Sequence, residues 1–223
     1  MLTVHHLDNS RSQRILWLLE ELGVEYEIQR YQRDKLTSLA PPELRAVHPL
    51  GKSPVITDGD LTIAESGAIT EYLVAKYGDG RLVPPADTPE RLQYTYWLHY
   101  AEGTFMPFMV MTLVFNRLET APMPFFIRPI AKSMAGKVRA NFINPNVTRN
   151  LEFMESTLRE TTWFTGDEMT AADIQMSFPV EAAAVRANLA TKYPKLNEFL
   201  QRIHALPAYQ RALERGGAYQ LLS

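Results

Sequence analysis

Residues 2–31 read LTVHHLDNSRSQRILWLLEELGVEYEIQRY, and the change of period along them decides the fold of the first half. Residues 2–7 are a short apolar run with β-branched members, the pattern of a buried strand. Past Asp8-Asn9-Ser10 the period lengthens. Ile15, Leu18, Leu19 and Leu22 fall at i, i+3, i+4 and i+7, one face of a helix. Gly23 stops that helix in the usual C-terminal position. Residues 26–31 then read as a second strand, completing a βαβ unit.

Working outward, residues 34–49 are polar and Pro-containing, with room for a short irregular helix. Two short strands, 54–57 and 61–63, flank Asp58-Gly59-Asp60, and Asp-Gly between alternating segments is a strong hairpin signal. Residues 65–77 return to helix, with Ile69, Tyr72 and Leu73 on one face. The order β-α-β, loose helix, β-β-α folds into one small thioredoxin-like α/β layer. Residues 78–89 carry the Gly, Asp and Pro chemistry of a linker. Beyond Pro89 no strand is expected. Helices are predicted at 90–118, 147–160, 171–189 and 194–206, with a short one at the end and a Pro-rich passage through Pro122, Pro124 and Pro129. The expected architecture is a thioredoxin-like α/β domain over 1–80 followed by an all-α domain over 89–223.

Composition narrows the chemistry. The 223 residues carry 23 Lys+Arg against 25 Asp+Glu, a net charge of −2. No basic excess exists to displace counterions from phosphates, so nucleic acid is not the expected partner. Cysteine is absent, which excludes disulfides, thiolate metal sites and a cysteine nucleophile. Residues 1–6 show no secretory signal. The longest apolar run, 105–115, is interrupted by Pro107 and Thr112 and falls short of the roughly 20 residues that span a bilayer. A cytoplasmic protein without membrane contact is expected. No Gly-rich phosphate loop follows a strand. His5 and His6 point to opposite faces of their strand, and His48, His99 and His204 lack ligand-spaced partners, so no metal is expected.

Three constellations remain. Asn9, Ser10 and Ser12 stand at the first strand-to-helix corner, where such residues cap helices and where a hydroxyl beside helix N-terminal amides also holds an anion such as a thiolate. Lys52-Ser53-Pro54 opens a strand. There the proline is tolerated, and a cis bond would offer the Ser53 backbone to an extended peptide. Glu65-Ser66-Gly67 stands before the next helix, again an anion site, with Glu65 suited to accept from an ammonium group. In the second half, Thr170 and Asp173 spell a capping box, with Met169 and Ile174 as its hydrophobic staple.

This order of motifs resembles the glutathione transferase family over essentially the whole chain. Gly51-Lys52-Ser53-Pro54, Glu65-Ser66 and the 166–174 passage stand in register, and the 7–14 and 48–52 stretches are most similar to a bacterial and fungal branch. The resemblance implies that the first domain binds glutathione as co-substrate and the second adjoins it with an apolar electrophile site. Ser10, four residues before Arg14, matches the catalytic serine of the serine-type classes, with Asn9 and Ser12 as alternative contacts to the thiol. Pro54 matches the family's cis-proline, Ser53 would pair with the cysteinyl unit, and Lys52 would face the glycyl carboxylate. Leu39 and Ala40 replace a basic contact found in some serine classes, leaving Lys52 to act there alone. Glu65 and Ser66 match the pair that holds the γ-glutamyl end. Tyr100, Phe105, Met106, Phe108 and Met109, with Phe125 and Phe126, are candidates for the electrophile site, though such a stripe is more often core or dimer contact. The implied protein is a homodimeric detoxification enzyme that conjugates glutathione to small hydrophobic electrophiles. A glutathione-dependent peroxidase or disulfide reductase, and a non-catalytic ligand binder on the same fold, are the alternatives.

Overall fold

The computed structural model describes residues 1–34, 37, 39–185, 189–217 and 219. Four strands, β1 (Leu2–Leu7), β2 (Glu27–Tyr31), β3 (Val55–Asp58) and β4 (Leu61–Ala64), form one sheet in the order β2-β1-β3-β4. β1 runs parallel to β2 and antiparallel to β3, with His5 opposite Val55, and Asp58 pairs with Leu61 across the hairpin. Helix α1 (Ser12–Leu22) covers one face of this sheet. Nine of its eleven residues are buried, and Gly23 ends it in the left-handed conformation at φ 67°. Burial on all sides follows from its position, because the sheet and α3 pack on one side of it and the second domain on the other. The short helix α2 (Pro42–Val47) fills the polar stretch, and α3 (Ser66–Tyr77) closes the first domain.

The rest is helical: α4 (Pro89–Tyr100), α5 (Met106–Thr120), α6 (Arg128–Val138), α7 (Asn144–Glu160), α8 (Ala171–Ala184), α9 (Leu189–Lys192), α10 (Pro194–His204) and α11 (Pro207–Gly216). The helix expected over 90–118 is interrupted by a π-helical turn, Ala101–Phe105, that joins α4 to α5. Such turns are rare and occur frequently at functional sites, and this one carries Glu102. The Pro-rich passage leads into a helix, α6, because Pro129 occupies the start of α6, where a missing N–H costs nothing. Pro145 does the same for α7. Helix α8 ends at Ala184, and the expected extension to Leu189 crosses residues 186–188, outside the described ones.

The capping box at α8 is formed. Thr170 Oγ1 accepts from Ala172 N at 3.3 Å, and Asp173 Oδ2 accepts from Thr170 N at 2.9 Å. Asp173 Oδ1 also accepts from Phe164 N at 2.8 Å, tying the preceding loop to the helix. One core runs through both domains, from Val4, Ile56 and Leu73 through Trp17 to Trp97, Phe105, Ile174 and Phe199. Among the described residues no helix is long and apolar enough to cross a membrane.

Candidate functional site

Two adjoining hollows open where the C-terminal end of β1 meets the N-termini of α1 and α3. The smaller, about 80 Å³, is lined by Arg11, His48, Leu50, Lys52, Ser53, Pro54, Ala64, Glu65 and Ser66. The larger, about 200 Å³, is lined by Asn9, Ser10, Arg33, Met106, Met109, Val110, Leu113, Phe178 and Ala182. Arg11 and Ser53 belong to both. The first is polar and cationic on one wall. The second is apolar apart from its floor.

That floor is built by hydroxyls. Ser10 is buried, accepts from Ser12 N at 3.2 Å, lies 2.8 Å from Ser12 Oγ, and donates to Ser53 Oγ at 3.3 Å. Ser53 Oγ in turn donates to the His5 carbonyl at 3.0 Å, and the Ser53–Pro54 peptide is cis. Arg11, not Ser10, is the N-cap of α1. No acidic residue lies in the first turn of α1, so the positive end of its dipole is left to an anion. Asn9 is exposed at the rim with φ 52°. Arg33 packs beside it, its Nε donating to the Asp8 carbonyl at 3.1 Å.

At the other hollow, Ser66 opens α3 and is buried. Its Oγ accepts from Arg14 at 2.7 Å and from Gln175 Nε2 at 3.2 Å. Both lone pairs are thereby occupied, so its proton is the group it can offer to a ligand. Glu65 precedes it at φ 70°, a conformation that non-glycine residues hold at a cost of order 1–3 kcal/mol. Glu65 is exposed, and its carboxylate stands at the pocket rim.

Behind these residues lies a network that spans the domains. Arg14 is fully buried and donates to Ser66 Oγ, to the Gln175 carbonyl at 2.6 Å and to Glu102. Burial opposes ionisation of Glu102, but Arg14 and then Arg11 overcome it and hold the carboxyl below its ordinary range. Arg11 Nε lies 3.3 Å from Glu102, and both guanidinium groups stand over the Phe178 ring at 5.9 and 5.6 Å.

Of the expected electrophile-site residues, Met106 and Met109 line the apolar hollow. Tyr100, Phe105 and Phe108 do not. Tyr100 is buried and donates to Asn150, Phe105 is fully buried, and Phe108 packs on Phe142. Met106 and Met109 follow the π-helical turn and line the hollow that also holds Ser10. Phe125 and Phe126 lie edge to face with each other, 86% and 64% exposed, outside both hollows. Arg11 and His48 line the same pocket as Lys52. Sequence reasoning missed Arg11, Arg33, Leu113 and Phe178. Phe178 had no local signal. Arg11 and Arg14 had one: they share a helix face with Leu18 and Leu22, where a charge must find a buried partner.

Larger cavities lie elsewhere. One of about 820 Å³ is lined by Glu181, His204, Tyr209 and Tyr219, but these polar groups already serve each other. Glu181 accepts from Tyr209 at 2.5 Å and Tyr219 at 2.8 Å, and lies 3.0 Å from His204.

Comparison with known proteins gives the family. Residues 1–75 match the family model of the glutathione S-transferase N-terminal domain, and residues 123–215 that of the glutathione S-transferase C-terminal domain. Over 216 residues the chain is 37% identical to glutathione S-transferase 3 of Schizosaccharomyces pombe, covering 96% of this chain and 88% of that protein. It is 32% identical over 226 residues to glutathione S-transferase 1 of Saccharomyces cerevisiae, covering 98% and 96%. The crystal structure of a glutathione S-transferase from Actinobacillus pleuropneumoniae superposes with a TM-score of 0.82 at 34% identity, covering 100% of this chain and 95% of that one.

Proposed function

The chain belongs to the glutathione S-transferase family, and from that premise we propose that it conjugates reduced glutathione to small hydrophobic electrophiles, with Ser10 holding the thiolate. The tripeptide would lie in the polar hollow, its γ-glutamyl end at Glu65 and Ser66, its cysteinyl backbone at Ser53 and its glycyl carboxylate at Lys52. The electrophile would lie against Met106, Met109, Leu113 and Phe178. The observation that carries this reading is the junction itself: Arg11 and Ser53 are common to both hollows, and Ser10 stands beside Ser53.

The chemistry needs little more. A thiol of pKa about 8.5 is mostly protonated at neutral pH, and lowering it by two units takes roughly 2.7 kcal/mol of preferential stabilisation of the anion. A donated Ser10 hydroxyl and the uncompensated N-terminus of α1 supply groups of that kind. The thiol proton leaves to solvent. The sulfur lone pair then forms the bond to carbon, and the displaced group leaves with its electron pair. A homodimer is part of the same reading, supported by the exposed Leu61, Leu92 and Tyr96 on β4 and α4.

The test is a pH titration of the thiolate ultraviolet absorbance of bound glutathione, in the wild type and in Ser10→Ala. A thiol titrating well below free glutathione, with that shift lost in the variant, is the expected result. A shift that survives moves the role to Asn9 or Ser12. Binding with no shift in the wild type would leave a ligand-binding protein on the transferase fold.

A further inference from the structure

His6 ends a chain of hydroxyls that leads to Ser10. The contacts run from His6 Nδ1 to Ser12 Oγ at 2.8 Å, from Ser12 Oγ to Ser10 Oγ at 2.8 Å, from Ser10 to Ser53 Oγ at 3.3 Å, and from Ser53 to the His5 carbonyl at 3.0 Å. His6, Ser12 and Ser10 are all buried. Each group must therefore find its partners within the chain.

Every hydroxyl has one proton, and counting protons fixes the direction. The far end is anchored, because a backbone carbonyl can only accept, so Ser53 gives its proton to His5. Ser53 Oγ therefore accepts from Ser10. With that proton committed, the short contact between the other two serines runs from Ser12 to Ser10, whose remaining lone pair takes the Ser12 N–H. Ser12 then has no proton left for the imidazole, and its other acceptor, the Leu7 carbonyl, stands at a poor 3.5 Å. The ring must donate. On its other side the ring meets the Gly216 backbone at the end of α11, which competes for the one proton of a neutral imidazole. Burial keeps the ring neutral, lowering its pKa from the ordinary 6.5.

We propose that His6 is a positioning residue for Ser10: as the Nδ1–H tautomer it turns the Ser12 and Ser10 hydroxyls outward, so that the Ser10 proton points to the mouth of the hollow. This rests on the reading of Ser10 as donor to the thiolate. Ser53 receives that proton in the free protein, and the substrate sulfur takes it over on binding. Each donor is polarised by the one behind it, which strengthens the last bond of the chain. The opposite tautomer would draw the Ser12 proton to the ring and the Ser10 proton after it, away from the sulfur.

Nitrogen NMR of histidine-labelled protein, with His6 assigned by its loss in His6→Asn, reads the tautomer directly. A proton on Nδ1 is expected; a proton on Nε2 overturns the proposal. Kinetics give a second reading. His6→Leu should lower kcat by about tenfold, the worth of one good hydrogen bond, with KM for glutathione little changed. It should also raise the pKa of bound glutathione. His6→Asn, whose amide donates from the Nδ1 side, should restore both, and His6→Gln should not. If Ser10→Ala loses the thiolate shift while His6→Leu keeps it, the relay is wrong and the role of Ser10 stands. If Ser10→Ala keeps the shift, the premise itself has failed.

Discussion

The guanidinium of Arg14, on the first helix of the α/β domain, is ion-paired with the carboxylate of Glu102, in the π-helical turn of the helical domain. The Arg14 side chain is 1% exposed and that of Glu102 is 27% exposed. A sealed pair loses about 3–5 kcal/mol when one partner is removed, because the survivor's charge is stranded. Glu102→Gln should cost somewhat less, about 2–3 kcal/mol, since Glu102 is partly wetted and the amide still accepts. Urea unfolding measures this, and a change below about 0.5 kcal/mol, the range of an ordinary surface substitution, would refute it. The folded pKa of Glu102 is depressed, so the pair contributes fully above the ordinary value of 4.5 and is lost as pH falls through the folded value.

Lys52 is exposed at the rim of the polar hollow. Its removal should weaken ground-state binding without touching the reacting atoms. Lys52→Ala should raise KM for glutathione by about three- to tenfold with kcat held, the signature of uniform binding lost. Steady-state kinetics at two salt concentrations checks this. A fall in kcat with constant KM would remove Lys52 from the substrate site.

Leu113 lines the apolar hollow and is only half buried, so trimming it has a modest folding cost. Leu113→Ala should raise KM for an apolar electrophile by about three- to tenfold, at roughly 25 cal/mol per Å² of lost contact. The KM for glutathione should not move. Across a series of electrophiles of growing apolar area, the penalty should grow with area. A penalty independent of size would place the electrophile elsewhere.

Asp173 has a folded pKa pushed up to about 6 by burial, which outweighs the hydrogen bonds from Thr170 and Phe164 that favour the anion. Its contribution to stability is complete below the unfolded value of 3.8 and is lost as pH rises through about 6. The advantage of wild type over Asp173→Asn in urea unfolding should therefore shrink between pH 4 and pH 7. Loss of the cap itself should cost about 1 kcal/mol at any pH. An advantage that grows with pH would mean that the three donors outweigh desolvation.

The parts of the fold legible in the sequence were those with local causes. The β1-α1-β2 unit showed as a change of period, the β3–β4 hairpin as Asp58-Gly59, and the start of α8 as Thr170 and Asp173. Helix α6 was hidden because proline at a helix start looks like proline in a loop until the chain around it is folded. For the site, residues joined by a motif were found together, namely Ser10 with Ser12, and Lys52 with Ser53 and Pro54. Phe178 and Gln175 arrive from a helix more than a hundred residues away, and no nearby pattern marks them. Tyr100, Phe105 and Phe108 stand outside the apolar hollow, on a stretch where a π-helical turn departs from the fixed period that a helical wheel assumes.

The burial of α1 has a consequence for the hollow at its N-terminus. Helix α1 is packed against α3 and also against α8 and α11, so elements of both halves of the chain meet on it. The wall of the hollow above Ser10 is made of flexible side chains, Arg11, Met106, Met109 and Leu113, whose shape changes by rotamer without movement of the backbone. A hydrogen-bonded floor beneath walls of adaptable side chains suits guests of varied shape.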